Sequence, residues 1–193
     1  MPILGVIASS TRQGQATDTG SVFPISNVVV GSAGSSSVTF SSIPSTYTHL
    51  QIRCVVRDNR SDVLSSLGVR FNGDTGGNYA YHNFRADGTN LTNAEQGASV
   101  NRIELDRYLA AASSPSGTFA GIILDIPDYA SANKYKTLKA IGGVDNASAG
   151  TGVIEFSSGL WLNTNAITSI TLYSIYGTLV ENTRFSLYGY KGA

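Results

Sequence analysis

The chain has 193 residues, only 13% of them charged, with 13 Lys and Arg set against 13 Asp and Glu. That length allows one domain, or one domain with an arm. Zero formal charge argues against a nucleic-acid partner, a hydrophobic fraction of 41% excludes a disordered chain, and no run of 18 apolar residues offers a membrane-spanning helix.

Residues 1–25 stand apart from the rest. Ile3-Leu4-Gly5-Val6-Ile7 is apolar, whereas Ser9 to Ser21 is polar, broken by Gly14 and Gly20, and without helical periodicity. The run Pro2 to Ala8 is short and no Lys or Arg precedes it, so it reads poorly as a secretory leader. The expectation is an extended attachment arm over 1–25, with Ile3, Leu4, Val6 and Ile7 touching a neighbouring subunit, followed by a body over 26–193.

The body reads as strands separated by turns. Asn27-Val28-Val29-Val30 is β-branched and ends at Gly31-Ser32-Ala33-Gly34-Ser35. Ser37-Val38-Thr39-Phe40 follows. Between His49 and Arg57, Leu50, Ile52, Cys54 and Val56 share one face, the period of a half-buried strand. Leu67 to Phe71 runs into the turn Asn72-Gly73-Asp74-Thr75-Gly76-Gly77-Asn78. Next, Tyr79, Tyr81 and Asn83 alternate with Ala80, His82 and Phe84. Ala86 to Ala98 is polar and reads as a long loop, and Val100 to Ala112 as a short strand or a helical piece. Thr118 to Ile126, Tyr135 to Val144, Gly152 to Leu162, Ile167 to Tyr176 and Arg184 to Lys191 complete the strands. In Gly152 to Leu162 the apolar residues are Ile154, Phe156, Leu160 and Leu162, with a bend expected at Ser157-Ser158-Gly159. About ten strands with turns every 8–12 residues or so predict an all-β, antiparallel, jelly-roll-like sandwich.

Little in the chain points to catalysis. His49 and His82 are the sole histidines, and Gly-x-Ser-x-Gly, phosphate-loop and dinucleotide patterns are missing. Cys54 is the single cysteine, placed on an apolar face, so it reads as a buried small hydrophobe. Asn72, Asp74 and Asn78 form a turn that reads as a ligand or interface loop. With one carboxylate it falls short of a calcium site. Asp125 and Asp128 read as loop polarity, and Trp161 as core or subunit contact. The expectation is no enzyme, no cofactor and no metal.

Several blocks resemble virion structural proteins of tailed bacteriophages. They are the opening Met1-Pro2-Ile3-Leu4-Gly5-Val6-Ile7-Ala8-Ser9-Ser10, Phe40 to Tyr47 leading into His49-Leu50-Gln51-Ile52-Arg53, and Arg70-Phe71-Asn72-Gly73-Asp74. Asn133-Lys134-Tyr135-Lys136, Trp161 to Ile167 and the close Leu187-Tyr188-Gly189-Tyr190-Lys191-Gly192 agree. The resemblance implies a virion component assembled in the host cytoplasm, with other virion proteins as partners and no membrane insertion. A homotrimer or other symmetric homo-oligomer, with tail-fibre or receptor-binding duty and a host surface glycan as ligand, is the leading expectation. A capsid decoration protein is the first alternative and a stand-alone carbohydrate-binding module the second.

Overall fold

A computed structural model describes residues 22–88, 91–147 and 152–191, with the backbone alone at 91–93. The twelve strands are β1 (Val22–Val29), β2 (Ser37–Phe40), β3 (His49–Val56), β4 (Leu64–Phe71), β5 (Tyr79–Ala86) and β6 (Leu91–Val100), then β7 (Ile103–Ala110), β8 (Ala120–Ile126), β9 (Lys136–Val144), β10 (Val153–Trp161), β11 (Ile170–Ser174) and β12 (Arg184–Tyr190). An eight-stranded sheet in the order β1-β12-β3-β8-β9-β10-β5-β6 packs on a four-stranded sheet, β2-β11-β4-β7. All strand pairs in both sheets are antiparallel, as expected of a β-sandwich, with two strands more than the sequence predicted.

Two expectations about the elements change and one open choice is settled. Residues 22–25 lie inside β1, paired with β12. Much of the stretch read as a loop over Ala86 to Ala98 is β6, an edge strand paired only with β5. An edge strand has one solvated flank, so polar and small residues suit it and pairing overrides weak β-propensity. Val100 to Ala112 resolves to the strand β7, with Ile103, Leu105 and Leu109 fully buried.

The strand alternation of β3 and β5 is as the sequence reads. Leu50, Ile52, Cys54 and Val56 are buried, as are Tyr79, Tyr81 and Asn83, while His82 and Phe84 face out. Burial pushes the Cys54 thiol well above its ordinary range, which removes it as a nucleophile. Trp161 stacks on Tyr79, with ring centroids 6.4 Å apart, and packs on Phe71 at 5.7 Å.

The abundance of glycine and tyrosine has a packing cause. Tyr173 lies over Gly68, Tyr81 over Gly97, Tyr108 over Gly142 and Tyr47 over Gly189, and a Cβ at any of these glycines would sit 2.7 Å or less from a ring carbon. Each ring covers the backbone that glycine leaves bare, a known way of stabilising glycine in a sheet.

Candidate functional site: an exposed apolar sheet face

The outer face of the eight-stranded sheet, away from the sandwich core, carries an unusual row. In register across the strands lie Arg53, Ile123, Ile141, Phe156, Phe84 and Ala94, on β3, β8, β9, β10, β5 and β6. A second row beside it runs Val55, Gly121, Gly143, Ile154 and Ala86. The six large apolar side chains of these rows (Val55, Phe84, Ile123, Ile141, Ile154 and Phe156) are 38–51% exposed. Single exposed apolar residues are ordinary, but a contiguous patch across a sheet marks a surface that something covers.

On the other side of the apolar row runs a polar one: Gln51, Asp125, Lys139, Ser158, His82 and Gln96. Gln51 Nε2 donates to Asp125 Oδ1 at 2.8 Å, Arg53 Nε donates to Gln51 Oε1 at 3.0 Å, and His82 Nε2 lies 3.1 Å from Gln96 Oε1. A depression of about 570 Å³ opens between this row and the apolar one, walled by Phe84, Phe156, His82, Gln96 and Lys139.

The face exists because β10 is inverted relative to its own sequence. Its apolar residues Ile154, Phe156, Leu160 and Leu162 point outward, and the bend expected at Ser157-Ser158-Gly159 does not interrupt Val153–Trp161. Glu155, Ser157, Gly159 and Trp161 point inward and are buried. Trp161 enforces this phase. A one-residue slip would expel it from its aromatic nest and drive Leu160 or Leu162 in instead.

The inward phase buries a carboxylate. Glu155 is fully buried and neither carboxylate oxygen has a hydrogen-bond partner among the described residues. Arg85 Nη1 stands 3.6 Å from Oε1, beyond hydrogen-bond distance, and donates instead to Asp106 Oδ2 at 2.8 Å. Asp106 also accepts the Ser66 hydroxyl at 2.8 Å. Burial foremost, then the negative charge of Asp106, pushes the Glu155 carboxyl up to about 8, so it holds a proton at neutral pH. Among the described residues, no group of three acidic, His or Cys side chains is placed to hold a metal ion.

The residues singled out from the sequence fall elsewhere. Ile3, Leu4, Val6 and Ile7 lie outside the described residues. Asn72, Asp74 and Asn78 come together at the end of β4, remote from the apolar rows. Asn72 Oδ1 accepts the Thr168 and Ser169 N–H groups at 2.8 and 3.0 Å. Asp74 accepts the Trp161 indole N–H at 2.7 Å, the Asn78 amide at 2.9 Å and the Gly76 N–H at 2.8 Å. These bonds fasten the loop to β10 and to the β10–β11 connection. Asp125 belongs to the polar row, and Asp128 pairs with Lys134 while its N–H donates to His49 Nδ1 at 3.1 Å.

The loop makes a spectroscopic prediction. The Trp161 indole, then the Asn78 amide, hold the Asp74 carboxyl below the usual carboxylate range. A depressed folded value means the stabilisation is full above the unfolded pKa and is lost as pH falls through the folded one. Trp161 is the chain's one tryptophan. Its emission should therefore hold on acidification past the ordinary carboxylate range and then change. Asp74→Asn should abolish that step, and identical acid profiles for the two proteins would refute the assignment.

The apolar face was missed from the sequence, although a signal for it exists. In β8, Ile123 stands between Ile122 and Leu124, so both faces of the strand are apolar, the pattern of a sheet covered on both sides.

No family model matches the chain, and no curated protein does. Among solved structures, the exo-inulinase from Aspergillus awamori aligns with 89% of this chain and 29% of its own, at 12% identity and a TM-score of 0.35. A fructofuranosidase from Schwanniomyces occidentalis aligns with 91% and 35%, at 8% identity and a TM-score of 0.30. The chain thus spans about a third of the length of these structures. At such scores the likeness carries no argument about activity or substrate.

Proposed function

We propose that this chain is a non-enzymatic assembly module: a virion structural protein of a tailed bacteriophage, carried on the particle surface as a tail-fibre or receptor-binding module and joined to its neighbours by residues 1–21 and by the outer sheet face. The observation that carries an assembly role is the apolar row Ile123, Ile141, Phe156, Phe84 and Ala94, in register over five strands and open to solvent. A particle subunit present in many copies gains from such a face, because modest contacts multiply by avidity. The blocks that resemble phage virion proteins support reading the assembly as a virion.

Antibody-gold labelling of particles from a lysate containing this protein tests the reading. Label on the tail or its fibres is the expected result. Label spread over the head would replace it with the capsid decoration reading, and no label on any particle would overturn both. Deleting residues 1–20 should leave a folded body that no longer joins the particle. A truncated chain that unfolds would show that the segment belongs to the core.

A further inference from the structure

We propose that the occupant of the outer sheet face is a second copy of this chain, packed sheet against sheet about a two-fold axis parallel to the strands and passing between β9 and β10. This rests on the reading of that face as a docking surface and names its partner.

The argument is the order of residues along the rows. A two-fold axis along the strands keeps each row over the same row of the second copy and reverses its order. β9 then lies over β10 of the second copy, β8 over β5, and β3 over β6. Ile141 meets Phe156 of the second copy and Ile123 meets Phe84, so each aliphatic side chain faces a ring. In the neighbouring row, Ile154 faces Gly143, where no side chain competes for the space. In the polar row, Asp125 faces His82, Lys139 faces Ser158 and Gln51 faces Gln96, so no like charges are brought together. The alternative axis, running across the strands along the apolar row, would lay each strand over its own copy, setting Arg53 against Arg53 and placing the apolar Val55 and Ile154 against the polar Gln51 and Ser158, a costly burial of like charges and unpaired polar groups.

Area and charge agree with this choice. Six strands spaced ~4.8 Å apart and three rows ~6.8 Å apart give a flat footprint of about 600 Å². Side-chain relief brings the accessible area near the ~800 Å² per partner of a standard stable interface. Zero formal charge on the chain removes self-repulsion between copies. The arm of the same chain is a poorer fit. Its apolar residues are Ile3, Leu4, Gly5, Val6 and Ile7, too few to cover six strands, and it enters the body at β1, two strands away from β3.

The test uses the full chain and engineered cysteines. Ile123 and Phe84 sit on strands separated by β9 and β10, about 14 Å apart at ordinary strand spacing, too far for a disulfide within one chain. Across the proposed axis they face each other. Treating the double variant Ile123→Cys with Phe84→Cys with a short bis-maleimide, which joins side chains reaching toward each other from sheets ~10 Å apart but not positions on one sheet three strands apart, should yield a covalent dimer, while each single variant stays uncrosslinked; the native Cys54 is buried and does not compete. Light scattering of the unmodified chain should give twice the 20.3 kDa chain mass, and Phe156→Lys should return it to the monomer with unchanged circular dichroism.

A trimer, or a single variant that crosslinks as well as the double, would overturn the two-fold arrangement. So would a monomer that dimerises only after residues 1–21 are deleted, since the arm would then be the occupant. A monomeric chain whose Phe156→Lys variant no longer enters particles would overturn the second copy and leave the docking reading standing. A dimer whose monomeric Phe156→Lys variant still enters particles normally would uphold the second copy and overturn the part given to this face in joining the particle.

Discussion

Replacing Glu155 with Gln should make the protein more stable at alkaline pH and leave it nearly unchanged in mild acid. The Glu155 carboxyl keeps its proton to about pH 8 in the fold, against a reference value of 4.5. A folded value above the unfolded one contributes stability that is fully present below the unfolded pKa and is lost as pH rises through the folded one. Between pH 4.5 and about 8 the unfolded chain releases this proton and the folded chain does not, so stability falls with pH. The accumulated loss is on the order of 5 kcal/mol, large for a domain of this size. Gln has the same shape and no charge to desolvate. Urea midpoints of the two proteins measured from pH 4.5 to 9 should start together and diverge. Parallel curves would show that Glu155 is ionised in the fold, rescued by a closer approach of Arg85 than 3.6 Å.

Lys136→Met should cost on the order of 3 kcal/mol or more. Lys136 is completely buried at the start of β9. Its ammonium donates to three backbone carbonyls, of Ser131 at 2.7 Å, Lys134 at 2.6 Å and Thr164 at 2.9 Å. One side chain thereby ties the β8–β9 connection to the β10–β11 connection. Met fills a similar volume but leaves all three carbonyls without that donor, and a buried unpaired polar group costs about 1–3 kcal/mol. For a chain of this length the melting midpoint should fall by roughly 6–12 °C. Two residues away, Lys134 is exposed and pairs with Asp128 at 2.5 Å. Lys134→Met should leave the midpoint nearly where it is, because surface ion pairs contribute little. Equal effects from the two substitutions would refute the role given to Lys136.

Neither group announces itself in the sequence. Lys136 stands in Asn133-Lys134-Tyr135-Lys136, two lysines alike in surroundings, and only the positions of Ser131 and Thr164 in space separate the buried one from the exposed one. Glu155 lies between Ile154 and Phe156, where a carboxylate would be placed outside. β6 was read as a loop because its residues are polar and small, and the reason it is a strand lies in β5, which offers it a free edge.

What the sequence determined by itself is the class of fold and much of its strand plan. Low charge, β-branched and aromatic runs, and turns at short intervals leave a helix few places to form, and an antiparallel sandwich is the outcome. The alternation in β3 assigned its buried face correctly, because four of its five apolar residues, Leu50, Ile52, Cys54 and Val56, share one phase. The phase of β10 belongs to the tertiary structure. Period two is the same whichever side faces in, and the local pattern of β10 by itself favours Ile154, Phe156 and Leu160 on the buried side. Trp161, through its packing on Phe71 and Tyr79 from distant parts of the chain, makes the choice. That choice buries Glu155 and turns Ile154 and Phe156 out to join Ile123, Ile141 and Phe84. The apolar face is therefore assembled from residues of five strands that meet only once the sheet has formed.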